Sequence, residues 1–462
     1  MKQPLLVLVL LLLLGGLAAC TVPNPAFDPG GADLGEPVDL GGPPDSGLSP
    51  DGGPGPLGVR FVVELATPGA ELLEDQPFTL QVQALDAQGR PEPDYAGVLL
   101  LHATWGDVFP RSVQVTQVDA QGRVRFPVRL DREGAAVIVV EDHARVGETR
   151  PLTVRHGTWN GGRAPSFTGG APGNWDEYDV NMPEVRLVGG KLLLLYRGRS
   201  YQGLPARLVG GIGRADSSNG GVTWLRHGPD PLLVDETAAA DFFSLGAPTL
   251  VVAGSRWDLW LTVTPRGDSY IGHLGGTAAG PWEPLPPELT LVSAQTGLPG
   301  AREIRDPCVV PLEGGGLLLF FTIEEASGRP AIGLARSADG RSWTVDVGTP
   351  VLRRTEGAWD AWGVSAPAVV KTGSVLRLWY VGEATAEGRG PAEVGIGYAT
   401  SIDGVRWVKS PDNPVLAQST SPTSFYRERV DHPTVVVSQE VPILFFAGAA
   451  SERWTLGRAT RW

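Results

Sequence analysis

The sequence predicts an all-β chain: a five-bladed β-propeller over residues 156–462, preceded by a β-sandwich over residues 58–155. Three observations carry the propeller. A pair of Ile or Leu followed by Gly returns five times, at Ile212, Ile271, Ile332, Ile396 and Leu456, with spacings of 59, 61, 64 and 60 residues. A proline opening an apolar run precedes each pair (Pro183, Pro248, Pro307, Pro367, Pro433), and a second apolar run lies between proline and pair. Trp224, Trp282, Trp343 and Trp407 follow the first four pairs after 12, 11, 11 and 11 residues. Short apolar runs punctuated by Gly, Pro and Asp, returning every ~60 residues, form the pattern of a four-stranded blade. No long stretch follows the 3.6-residue spacing of a helix.

At the N-terminus, Lys2, the apolar run Leu5–Leu14 and then Leu17-Ala18-Ala19-Cys20 have the anatomy of a signal peptide. The run is too short to span a bilayer comfortably. The segment resembles a bacterial lipoprotein signal, which implies removal of the leader and a lipid on Cys20. Thr21, where an Asp would retain the protein in the inner membrane, implies sorting to the outer membrane. The expected state is a monomer that touches the membrane through its lipid alone.

Residues 21–57 hold Asp28, Asp33, Glu36, Asp39, Asp45 and Asp51, no bases and few large apolar side chains. Such a segment cannot bury a core and reads as a tether. It supplies six of the negative charges behind the chain's formal −13. That acidity argues against a nucleic-acid partner.

In residues 58–155, Phe78, Leu80, Val82 and Ala84 alternate with polar residues, as do Val124, Phe126, Val128 and Leu130. Period-two alternation between Gly-containing turns predicts short antiparallel strands in a sandwich. The run from Phe78 to Gly89 resembles the immunoglobulin-like modules of bacterial surface proteins. No residue there points to chemistry, so a spacer or accessory module is expected.

The fifth propeller repeat lacks its last strand, since only five residues follow Leu456-Gly457. His156-Gly157-Thr158-Trp159 has the look of the missing piece. An open ring would leave unpaired strand edges, so this segment is expected to pair into the last blade.

Cys308 is the one cysteine besides Cys20, and the six histidines show no metal-ligand spacing. No disulfide, metal or cofactor is expected. Cys308 reads as a small buried hydrophobe.

The innermost strand of each blade starts beside the central channel, so the residues before the five prolines converge on one funnel. These approaches read Asp179-Val-Asn-Met, Ser244-Leu-Gly-Ala, Glu303-Ile-Arg-Asp, Gly363-Val-Ser-Ala and Arg429-Val-Asp-His. Charge gathers in the first, third and fifth: Asp179, Glu303, Arg305, Asp306, Arg429, Asp431 and His432. Arg427 and Glu428 lie just upstream. Aromatic residues stand in the preceding loops: Trp175, Tyr178, Trp359, Trp362, Phe425 and Tyr426. Flat apolar rings suit the faces of sugars.

Arg305-Asp306-Pro307, with Ser337-Ala-Asp-Gly-Arg-Ser-Trp343 and Ser401-Ile-Asp-Gly-Val-Arg-Trp407, resembles the five-bladed propeller glycosidases: arabinanases, invertases and mannoside phosphorylases. The run Pro183–Arg197 looks closest to the phosphorylase branch. The resemblance implies a glycan in the funnel, with Asp306 as stabiliser of the transition state. The family's first-blade acid stands before the proline, where this chain has Met182. Its acid Glu stands before the fourth proline, where this chain has Ser365-Ala366. Glu356 and Asp360 lie in a loop upstream.

Hydrolysis needs two carboxyls about 5–5.5 Å or 6.5–9.5 Å apart. The expected pair is Asp179 with Asp431, with Glu303 beside Asp306 as an alternative proton donor. Arg305, Arg429, His432 and the aromatic residues are the expected sugar contacts. Phosphate in place of water would call on the cations, Arg427 included. Two displaced acids also fit a glycan-binding lipoprotein that kept the ring without its chemistry. Ser217–Trp224 matches the sialidase Asp-box, a turn motif of propellers, but five copies argue against a six-bladed sialidase.

Overall fold

A computed structural model describes residues 59–461, apart from 203–206, 236–242, 266, 279, 281, 285–290, 298–299, 347–348, 387–392 and 439–440. The expected signal peptide and tether lie outside the described residues.

Residues 60–155 form two four-stranded antiparallel sheets and one small three-stranded sheet. The strand Phe78–Leu85 sits between Arg60–Leu65 and Arg123–Leu130. Its alternation is realised as Leu80, Val82 and Ala84 buried and Thr79 exposed. Side chains of both larger sheets meet in one core, which includes Leu80, Leu99, Val128, Ile138 and Val140.

Five further sheets follow, and four of them meander outward strand by strand. Their innermost strands are Asp179–Val188, Phe243–Ala253, Ile304–Pro311, Gly363–Thr372 and Arg429–Ser438. Each touches the next in chain order, and the fifth touches the first. The fifth sheet has three strands of its own. Asn160 pairs with Thr460, and Phe167 with Leu456, which puts residues 160–167 along its outer edge.

The repeated pairs owe their glycine to packing. Trp175 stacks on Tyr196 and lies against Gly198 and Gly213; Trp359 stacks on Tyr380 against Gly382 and Gly397; Phe425 stacks on Phe446 against Gly448 and Gly457. A β-carbon on Gly397 would stand 2.5 Å from the Tyr380 ring. The late tryptophans tie blade to blade. Trp224 packs on Phe445 of the fifth blade, Trp343 on Trp260 of the second and Trp407 on Phe320 of the third. Trp159 takes the same role for the fifth blade, edge-on against Trp379 of the fourth.

Candidate functional site

All five innermost strands break register at their proline, between Asn181 and Glu184, Gly246 and Thr249, Arg305 and Cys308, Ser365 and Ala368, and Asp431 and Thr434. Proline has no N–H for the ladder, so it bulges the strand. The residue before it turns left-handed: Met182, Ala247, Asp306, Ala366 and His432 have φ between 41° and 54°. Left-handed backbone is costly for residues other than glycine, and such strain gathers at functional sites. These five residues and their prolines line one central cavity of about 450 Å³, counting the part open to solvent.

The ring thus carries one carboxylate, Asp306, and one imidazole, His432. His432 Nε2 lies 3.3 Å from Asp306 Oδ1, and its Nδ1 lies 2.9 Å from Asp431 Oδ1. Arg305 reaches Asp306 at 2.7 Å and Glu303 at 3.3 Å. Arg429 bonds Asp431 at 2.9 Å and also pairs with Glu383 of the fourth blade. The result is a chain of alternating charge: Glu303, Arg305, Asp306, His432, Asp431, Arg429, Glu383.

This network sets the protonation states. Burial alone would raise the Asp306 pKa, but Arg305 and His432 together bring it down to about 2. Asp431 is held well below the carboxylate range; burial opposes this, and His432 and Arg429 prevail. Burial works against a charged His432, yet Asp431 and Asp306 lift its pKa to about 10. An imidazolium therefore sits between two carboxylates at neutral pH. The described carboxyls whose pKa rises, Asp131 and Glu133, belong to the sandwich.

The structure brings together six of the expected charged residues and sets one apart. Glu303, Arg305, Asp306, Arg429, Asp431 and His432 form the network. Asp179 stands outside it, fully buried, with both oxygens held by Arg199 on the neighbouring strand. Its contacts are with Arg199 and not with Asp431. Glu356 is exposed, and Asp360 is buried against Lys409. Arg427 and Glu428 pair with each other at 3.0 Å.

The aromatic residues divide. Trp175, Trp359 and Phe425 face into their blades over the paired glycines, and Tyr426 is buried against Phe425 and Phe446. They are core, because the glycines leave a slot only a flat ring fills. Tyr178 and Trp362 stay half-buried at the starts of the first and fourth innermost strands. Tyr178 meets the exposed Tyr201 edge-on and carries Arg453 over its ring; Arg329 lies over Trp362.

Three charged residues on or beside the innermost strands were not read from the sequence. Glu383 partners Arg429, and Asp235 holds Arg197 at 2.8 Å. Glu184 follows the first proline and lines the cavity. It accepts hydrogen bonds from Leu250 N at 3.1 Å and from the hydroxyls of Thr249 at 3.3 Å and Thr434 at 3.2 Å, and pairs with Arg186 at 2.7 Å. A comparison of the residues after the five prolines, and not only those before them, would have singled it out.

No family model matches the chain, and no curated protein matches it. Among solved structures, a glycosyl hydrolase from Bacteroides ovatus superposes with a TM-score of 0.50 at 15% identity, covering 65% of this chain and 93% of that one. The fold is that of the propeller glycoside hydrolases. A structure from the GH130 family of mannoside phosphorylases, described as containing hydrolases of β-1,2 mannosidic linkages in Candida mannan, aligns at 16% identity and TM-score 0.49, over 65% and 92% of the two chains. A thermostable family-43 glycoside hydrolase aligns at 16% identity and TM-score 0.47, over 63% and 90%. In this propeller the funnel is the place where all five blades meet. Cys308, beside the cavity, has its thiol pushed up to about 11 by burial, which disfavours the thiolate.

Proposed function

We propose that the protein binds a neutral glycan in this funnel, as a lipoprotein anchored at the bacterial outer membrane, and does not cleave it by the two-carboxylate route. The observation that carries this is the ring before the prolines: Met, Ala, Asp, Ala, His. Its single carboxylate, Asp306, is ionised between Arg305 and His432, so it can accept hydrogen bonds from sugar hydroxyls but has no proton to give. The cations of the network already face carboxylates: Arg305 has Glu303 and Asp306, and Arg429 has Asp431 and Glu383. That pairing favours a neutral sugar over phosphate or an acidic sugar. Ala247 and Ala366 leave room beside Asp306 and His432.

The test is a glycan array probed with the mature protein, with neutral and anionic glycans side by side, followed by assay of released reducing ends. Binding to neutral glycans without new reducing ends is expected. Exclusive binding of anionic glycans would overturn the reading.

Turnover is the second reading, and one observation favours it. His432 is a protonated group held between two carboxylates at a strained backbone position, where it could protonate a leaving oxygen. Release of reducing ends that Asp306→Asn abolishes would establish it.

A further inference from the structure

The cavity floor links blade to blade through the residue after each proline. Thr434 Oγ1 accepts from Val185 N of the first blade at 3.2 Å, and Glu184 accepts from Leu250 N of the second at 3.1 Å. Thr249 Oγ1 accepts from Val309 N of the third at 3.3 Å, and Cys308 Sγ from Val369 N of the fourth at 3.2 Å. At the junction of the fourth and fifth blades the same position is Ala368, whose side chain has no atom to accept with. Four junctions carry the link, and the fourth-to-fifth one cannot.

The β-sandwich docks at that junction. The turn holding Glu74 and Asp75, between the strands Leu72–Leu73 and Phe78–Leu85, enters a site where both residues are buried. On the fourth blade, Tyr398 donates to Glu74 at 2.8 Å, and Arg377 meets Asp75 at 2.5 Å and Glu74 at 3.5 Å. At the end of the fifth blade, Arg461 meets Asp75 at 3.4 Å and Glu74 at 3.6 Å. Glu74 also holds His156 Nδ1 at 2.7 Å, and His156 Nε2 accepts from the indole of Trp159 at 3.1 Å. Trp159 is the wedge against Trp379 of the fourth blade. Arg129 of the sandwich completes the cluster, 3.2 Å from Asp75.

We propose that the β-sandwich is a clamp on the propeller: by supplying Glu74 and Asp75 as buried counter-charges to Arg377 and Arg461, it holds the fourth and fifth blades together where the inner link is missing. Arg377 and Arg461 are 3% and 2% exposed, so each needs a counter-charge in place. Removing one side of a buried pair leaves an unpaired buried charge, which destabilises far more than an exposed pair would. Burial would raise the Glu74 pKa, but Arg377 and His156 bring it down to about 2, so the clamp stays charged at neutral pH.

The test is hydrogen exchange on the full mature chain carrying Glu74→Gln with Asp75→Asn. Amides at the fourth-to-fifth junction, such as Val435, Phe446 and Trp379, are expected to exchange at least tenfold faster. Those between the second and third blades, such as Trp260 and Val309, are expected to stay near wild type. Equal loss at both junctions, loss confined to sandwich amides such as Leu80 and Val82, or no change would each overturn the clamp. If that variant yields no folded protein, Arg461→Lys keeps the charge but loses the forked contact with Asp75 and the backbone of His156. It is read by the same comparison, with the same outcomes for and against.

Discussion

At the residue scale, the funnel is organised by a backbone conformation before it is organised by charge. A proline after each left-handed residue bulges the strand, and the bulge decides which side chains face the cavity. Strict alternation from the strand start would have placed Asp179, Asn181 and Pro183 on one face; the bulge puts Met182 into the ring and leaves Asp179 with Arg199. Asp306 and His432 were legible because each stands directly before a proline. Their pairing across the funnel was not, since they are far apart in sequence. Asp306→Asn keeps the shape but removes the charge that Arg305 and His432 face, so glycan affinity is expected to fall about tenfold or more in a binding titration. Unchanged affinity would remove Asp306 from the site. His432 gives a pH signature. Its folded pKa, about 10, lies above its ordinary value of 6.5, so its stabilisation is complete below pH 6.5 and is lost as pH rises through about 10. Melting temperatures from pH 6.5 to 10.5 should fall more steeply for the wild type than for His432→Gln. Parallel curves would show that His432 is not charged in the fold.

At the element scale, the blades were legible from the repeats because the first, fourth and fifth use the same packing device. A glycine pair on the second and third strands opens a slot, and a flat ring from the preceding loop fills it. Reading Trp175, Trp359 and Tyr426 as sugar platforms missed this. The glycines and the aromatics were both visible, but only the register of the strands shows that they meet. Gly397→Ala would push a methyl to 2.5 Å from the Tyr380 ring and 2.8 Å from Trp359. Overpacking of this kind costs about 1–3 kcal/mol, to be read as a lower urea midpoint. Pairing it with Trp359→Ala makes room for the methyl. The double variant should therefore lose less than the two single losses added together; strict additivity would mean that Trp359 does not sit on Gly397. Gly404 and Gly340 sit in turns where a left-handed φ disfavours any other residue, and a β-carbon on Gly340 would also stand 2.9 Å from Leu317.

At the scale of the whole molecule, the sequence places an acidic tether and a lipobox-like cysteine ahead of the folded domains. A protein anchored through Cys20 is expected to sediment with outer membranes, and Cys20→Ser to appear in the soluble periplasmic fraction. Sedimentation of Cys20→Ser with the membranes would discard the anchor. The sandwich meets the propeller through buried charge. An isolated propeller would consequently carry Arg377 and Arg461 without counter-ions, and binding assays belong on the mature chain.

The sequence alone determined what is periodic: five blades, two kinds of β domain, the proline ring and its single Asp and His. Periodicity is local chemistry repeated, and one chain displays it in full. What the tertiary structure decided is which charges share a partner and which aromatics are core. It separated Asp179 from Asp431, revealed Glu184 as a link between blades, and gave the sandwich a place against the fourth and fifth. These depend on contacts between residues tens to hundreds of positions apart, which the bulges and the ring bring together and no local pattern records.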